Sequence, residues 1–161
     1  MLKYPPQPVS DRRTSLFGHT DIGTVTLLFN VLGGLQILPP GYENKEENWR
    51  YVKPELGCAI VNLGDTMREW TGGILKSNLH RVTYAPGEQG SCTRYSVAYL
   101  ARPEGGASMK RLALKGSLIE AVEGEEEVEV TADEWVQRKT MLANLAKDPA
   151  RERDGRAATV G

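Results

Sequence analysis

The chain has little cysteine, little histidine, no long apolar stretch and no excess of either charge. Two cysteines, Cys58 and Cys92, exclude a disulfide-dense scaffold. A chain of 161 residues buries enough surface to need no covalent staple, so two free thiols in a reducing compartment are expected rather than a bridge. No apolar run approaches the roughly 20 residues that cross a bilayer as a helix. The opening residues Met1-Leu2-Lys3-Tyr4-Pro5-Pro6 lack the apolar core of a signal peptide, and no Asn-x-Ser/Thr acceptor occurs. Charge is balanced at 20 basic and 21 acidic side chains, with no basic stripe, so neither nucleic acid nor a membrane surface is expected as a partner. Together these absences predict one cytoplasmic domain with its own core.

What is present reads as mainly β over residues 1–103. Thr24–Phe29, Leu35–Leu38, Trp49–Val52, Cys58–Leu63, Leu79–Tyr84 and Arg94–Ala101 are short β-branched or apolar runs, punctuated by Gly33-Gly34, Pro39-Pro40-Gly41 and Pro54-Glu55-Leu56-Gly57. Such spacing predicts a sandwich or barrel. The nearly continuous apolar run Cys58–Leu63 predicts a strand buried on both faces. Asp65 is expected to N-cap a short helix that Gly72-Gly73 ends. Beyond residue 103 the character changes. Residues 104–147 form an extension with a helix expected at about 131–147 behind the capping box Thr131-Ala132-Asp133-Glu134. Residues 148–161 have the composition of a disordered tail.

The two histidines carry the chemistry. His19 and Asp21 stand two apart, and on an extended strand such residues share a face. His80 opens a separate strand and can join them. Two imidazoles and one carboxylate on one side of a metal are the ligand set of non-haem Fe(II) oxygenases. Arg94 and Ser96 repeat the same spacing on a third strand, and a guanidinium beside a hydroxyl suits a carboxylate. Alone, each of these residues has a plainer use: a hydrogen-bonded histidine, a turn aspartate, a solvated arginine. One geometry accounts for all five.

The motifs around these residues extend the case. They are Phe17-Gly18-His19-Thr20-Asp21-x-Gly23-Thr24-Val25-Thr26-Leu27-Leu28, Asn62-Leu63-Gly64-Asp65 with Trp70-Thr71-Gly72-Gly73, Lys76-Ser77-Asn78-Leu79-His80-Arg81-Val82, and Arg94-Tyr95-Ser96-Val97-Ala98-Tyr99, with Tyr4-Pro5-Pro6 at the start and Glu134-Trp135 near the end. In combination they resemble the 2-oxoglutarate- and Fe(II)-dependent dioxygenases of the isopenicillin-N-synthase-like type, over about residues 1–103. The chain departs from that pattern in two ways. Family members carry a further segment ahead of the Tyr-Pro, whose helices buttress the sheets and form part of the substrate pocket. The stretch Ala85–Thr93 is also longer than in many members.

The resemblance implies a double-stranded β-helix (jelly roll) with one short internal helix and a C-terminal helix. It implies that His19, Asp21 and His80 bind Fe(II), that 2-oxoglutarate chelates the metal and meets Arg94 and Ser96 through its far carboxylate, with Tyr4 adding a hydrogen bond, and that O2 is the oxidant. No catalytic residue is expected beyond the metal centre. Asn62 is a candidate to fix the ligands, with plain packing as the alternative. Phe17, Leu27, Leu28 and Tyr99 are expected in the core or along the cavity. The implied function is oxidation of a small-molecule metabolite (hydroxylation, desaturation or cyclisation) with release of succinate and CO2. Two alternatives stay open: an iron oxidase that uses no 2-oxoglutarate, and an inactive jelly-roll fragment that serves as a binding module. A second copy or another chain is the expected cover for the face those further helices would occupy.

Overall fold

The computed structural model describes residues 1–7, 9–12, 14–113, 116, 118, 119 and 129–146. Most of the acidic run 123–129, and residues 148–161, lie outside them. Two four-stranded antiparallel sheets make a jelly roll. One has the order β1 (Leu2–Tyr4), β8 (Arg94–Leu100), β3 (Val25–Asn30), β6 (Ile60–Leu63). The other has the order β2 (Leu16–His19), β7 (His80–Val82), β4 (Leu35–Ile37), β5 (Arg50–Tyr51). Apart from β4 and β5, neighbours in each sheet are not consecutive in sequence, as when β3 pairs with both β6 and β8.

Register decides which side chains face inward. Tyr4 pairs with Arg94, Asn30 with Ser96, and Thr26 with Asn62; these residues line the inner face of the first sheet. The apolar members of β8 and β3 point the other way. Tyr95, Val97, Tyr99 and Phe29 are exposed on the outer face, with Val61 of β6 beside them at 58% exposed. The alternation of β8 is therefore inverted relative to an ordinary sandwich strand: Arg94 is only 4% and Ser96 3% exposed, while the apolar row meets solvent. Two expectations fail for the same reason. The 58–63 run is not buried on both faces, because the outer face of its sheet, where Val61 lies, is uncovered. Phe17 (81% exposed) and Tyr99 (64%) belong neither to the core nor to a cavity, and of the four residues considered only half-buried Leu28, paired with Ala98, lies on the inner face.

Leu35, Leu38, Trp49, Val82 and Ala85 form the buried apolar cluster of the second sheet. Arg81 stacks over Trp49 with its guanidinium carbon 4.4 Å from the ring centre and pairs with Glu46. Helix α1 runs Asp65–Trp70. Its N-cap is Gly64 rather than Asp65, and only glycine fits there, because a Cβ would overlap the carbonyl oxygen of Gly23. Helix α2 runs Ala132–Ala146 behind the capping box, in which Thr131 N–H donates to Glu134 Oε2 and Glu134 N–H to Thr131 Oγ1. No described helix is long and apolar enough to cross a membrane.

Candidate metal centre

His19 closes β2 and His80 opens β7, and the two are register partners on adjacent strands. Their rings lie 4.3 Å apart, centre to centre. His19 Nδ1–H donates to the carbonyl of Phe17 at 2.8 Å, and His80 Nδ1–H to that of Asn78 at 3.1 Å. A carbonyl can only accept, so each Nδ1 carries its proton and each Nε2 presents a lone pair. Both Nε2 atoms aim at one oxygen, Asp21 Oδ1, at 3.8 and 3.7 Å.

Asp21 is not on a strand. It lies just past β2, in the irregular segment that leads to β3, so shared strand parity does not bring it to the histidines. Hydrogen bonds do. Asp21 Oδ2 accepts from Thr26 Oγ1 at 2.5 Å and from Asn62 Nδ2 at 2.8 Å. Both donors belong to the opposite sheet, so the carboxylate bridges the two layers. With Oδ2 doubly engaged, Oδ1 is left to face the imidazoles. The backbone adds to this. The N–H of Asp65 donates to the Asp21 carbonyl at 2.7 Å, and that of Thr66 to the carbonyls of Ile22 and Gly23. The first-turn donors of α1, which have no partner inside the helix, are thus satisfied by the loop they hold.

Electrostatics favour an ionised acid between neutral bases. Burial alone would raise the Asp21 carboxyl, but the bonds from Asn62 and Thr26, with His80 and His19 beside it, hold it below the usual range. Burial pushes His80 below its ordinary value, helped by His19 and opposed by the Asn78 carbonyl and Asp21. Two groups bound to one first-row ion at about 2.1 Å each stand no more than about 4.2 Å apart, and the three donor atoms lie within 4.8 Å of one another, with both distances to Asp21 shorter than that limit. Among the described residues no other cluster of three such groups forms. The donor set of two nitrogens and one oxygen suits Fe(II).

Arg94 sits deeper, on the same inner face. Its Nε–H donates to the Gly33 carbonyl at 2.8 Å and its Nη1 to Ser96 Oγ at 3.4 Å, and its guanidinium carbon lies 5.1 Å from the Tyr4 ring centre. The Gly33-Gly34 turn permits this approach: Gly34 has φ +114°, and a Cβ there would stand 2.7 Å from the Thr83 carbonyl. Burial lowers the Arg94 guanidinium below its usual range. No described carboxylate pairs with it. It borders instead a pocket that Tyr4, Ser15, Thr83 and Gln89 also line. A buried cation without an acid is matched to an anion from outside.

The structure brings His19, Asp21 and His80 together at one end of the interior and Arg94, Ser96 and Tyr4 together further in. Three polar groups escaped the sequence reading. Thr26 looked like an ordinary β-branched strand residue. Asn30, whose buried Oδ1 has no partner, shares the inner face with Ser96. Lys139, on α2, reaches Asp65. Only Asn30, a polar residue closing an apolar run, carried a local signal. Cys58 and Cys92 are both free and exposed.

Comparison with known proteins agrees with this chemistry. Residues 1–103 match the profile of the 2OG-Fe(II) oxygenase superfamily. The chain is 43% identical over 128 residues to the 2-oxoglutarate-dependent dioxygenase iboH of Amanita muscaria, covering 79% of this chain and 59% of that protein. It is 37% identical to the 2-oxoglutarate-dependent dioxygenase frbH of a Dothideomycetidae species, covering 79% and 37%. The fold overlays a full-length Neurospora crassa protein, solved in complex with alpha-KG, with a TM-score of 0.71 at 26% identity, covering 88% of this chain and 43% of that one. The chain therefore spans between about a third and three fifths of the length of these proteins.

Proposed function

This chain belongs to the 2OG-Fe(II) oxygenase superfamily, and from that membership we propose that it oxidises a small-molecule metabolite by hydroxylation, desaturation or ring closure, using Fe(II), 2-oxoglutarate and O2. The family needs all three, and the cluster of His19, Asp21 and His80 with Arg94 nearby supports the reading. His19 Nε2, His80 Nε2 and Asp21 Oδ1 would hold the metal. Arg94 and Ser96 would bind the far carboxylate of 2-oxoglutarate, with Tyr4 beside them. When bound, iron, 2-oxoglutarate and O2 supply the oxidising power, in a reaction that consumes one 2-oxoglutarate and one O2 and yields succinate and CO2 with either the hydroxylated substrate or the desaturated or cyclised substrate and one water.

The protein's own part is to orient and shield. Thr26 and Asn62 keep one carboxylate oxygen occupied, so that Asp21 offers a single oxygen. The Phe17 and Asn78 carbonyls fix both imidazole tautomers. The inner-face position of Arg94 keeps its charge out of water, where its hydrogen bonds to a carboxylate gain strength. Cys58 and Cys92 are not bridged to each other, which fits a cytoplasmic setting. The uncovered apolar row Phe29, Val61, Val97 and Tyr99 supports contact with a second copy or with another segment.

The observation that carries this reading is the convergence of two correctly tautomerised imidazoles on the one free oxygen of Asp21. Anaerobic addition of Fe(II) and 2-oxoglutarate tests it, read by the weak visible charge-transfer band of the chelate. The band should appear with the native chain and vanish with Asp21→Ala. A folded chain that gives no band would overturn the assignment, and turnover without succinate would remove 2-oxoglutarate from it.

A further inference from the structure

We infer, resting on the metal-centre reading above, that Asp65 and Lys139 are positioning residues through which the C-terminal helix holds the His19–Asp21 loop in its ligating shape. Past His19, which closes β2, Thr20 and Asp21 lie outside both sheets, so no ladder fixes them. Their geometry depends on bonds made from elsewhere. Thr20, between the two ligands, donates its hydroxyl to Asp65 Oδ2 at 2.9 Å. That same oxygen accepts from Lys139 Nζ at 2.7 Å, across 74 positions of sequence. Ser77, three residues before the other ligand His80, lies near the same carboxylate. Asp65 also grips the loop through its backbone, its N–H donating to the Asp21 carbonyl at 2.7 Å. Asp65 thus binds the segment that carries His19 and Asp21 and lies beside the one that carries His80.

A carboxylate that is 6% exposed is stabilised as an anion by a cation nearby. Among the described residues the ion-paired cation is Lys139, whose ammonium also lies 4.7 Å from the Trp135 ring centre on the same helix. Without the ammonium, Asp65 has reason to turn toward water, and Thr20 then loses its acceptor. The next donor out from the ligands is where metal affinity is tuned, typically by roughly 10- to 100-fold per group. A residue on α2 therefore governs a site built from β2, β7 and the loop between β2 and β3.

The test uses the full chain and Co(II) alone as a spectroscopic probe, titrated into Lys139→Met, Lys139→Arg, Thr20→Val and the Thr20→Val/Lys139→Met double variant, with melting of each metal-free protein alongside. Lys139→Met should weaken Co(II) binding about tenfold while Lys139→Arg restores most of it. Thr20→Val should weaken it as well, and the double variant should lose little more than the worse single one, because both act through the same oxygen. Native Co(II) affinity in Lys139→Met, or losses that multiply in the double variant, would overturn the inference. Should Lys139→Met fail to fold, Thr20→Val decides, and unchanged binding there sinks the idea. His80→Ala separates the two levels: if it leaves Co(II) binding intact, the metal-centre reading itself is wrong.

Discussion

Asn62 Nδ2 donates to Asp21 Oδ2 across 2.8 Å, and that bond ties an edge strand of one sheet to the ligand loop emerging from the other. It leaves Asp21 Oδ1 as the oxygen that faces both imidazoles. Asn62→Leu keeps the volume and removes the donor. It should weaken Fe(II) or Co(II) binding by about 10-fold, with the change in metal-free stability confined to about 1–3 kcal/mol. Metal titration beside urea denaturation checks both halves, and unaltered affinity would show that Thr26 suffices alone.

Arg94 is matched to an anion that no described residue supplies. Arg94→Lys keeps the charge but loses the fork and the Nε–H bond to the Gly33 carbonyl. Loss of charge-assisted hydrogen bonds of about 1.5–3 kcal/mol corresponds to a rise in the 2-oxoglutarate requirement of roughly 10- to 100-fold. Ser96→Ala should produce a smaller rise, since its hydroxyl lies 3.4 Å from Nη1 and is the weaker partner. Metal affinity without 2-oxoglutarate should be the same in both variants as in the native chain. If 2-oxoglutarate dependence is unmoved in Arg94→Lys, the pocket holds something else.

Gly64 sits where the loop and α1 touch. A Cβ there would overlap the Gly23 carbonyl oxygen and stand 2.7 Å from that of Asp21. Both obstacles are backbone, so no side chain can swing aside. Gly64→Ala should cost about 1–3 kcal/mol and should also displace Asp21, lowering metal affinity in the same variant. A stability loss with native metal affinity would mean that the helix moves and the loop does not.

The candidate metal and co-substrate residues were legible because their signals are local: rare histidines, an acid two positions from one of them, an arginine two positions from a serine. The means of assembly were not. Strand parity correctly puts Arg94 and Ser96 on one face, since both lie within β8. It does not account for His19 and Asp21, because β2 ends at His19 and Asp21 is placed by Asn62, Thr26 and Asp65 from three other segments. The roles of Thr26 and Lys139 depend on tertiary contacts that no spacing in the sequence reveals. Tyr99 misled for a related reason: the inner face is given over to a polar site, so Tyr99 lies outside with Tyr95 and Val97.

The pH dependence of the metal-free chain follows from His80 and Asp21. Burial holds the folded-state pKa of His80 below its ordinary value of 6.5. As pH falls below that value, the unfolded chain takes up a proton that the folded chain resists. The unfolded state then binds more protons, so folding stability falls with pH through this window. Over a single unit the loss from one such group is at most about 1.4 kcal/mol. Asp21 acts lower down. Its folded pKa is held below 3.8 by the Asn62 and Thr26 hydrogen bonds against the opposing effect of burial, so its contribution is fully present above that value and disappears only as pH falls below it. Urea midpoints of chelator-treated protein should therefore decline between about pH 7 and about pH 5.5, and His80→Gln, which cannot take up a proton, should decline less. Saturating Fe(II) under anaerobic conditions should raise the native curve and steepen its fall as pH drops, because the metal-bound folded state takes up even less proton at its imidazoles than the metal-free one, while the unfolded chain still takes it up. Equal slopes for the native chain and His80→Gln would mean that His80 meets solvent freely, and the dry, neutral ligand inferred from its position would have to be given up.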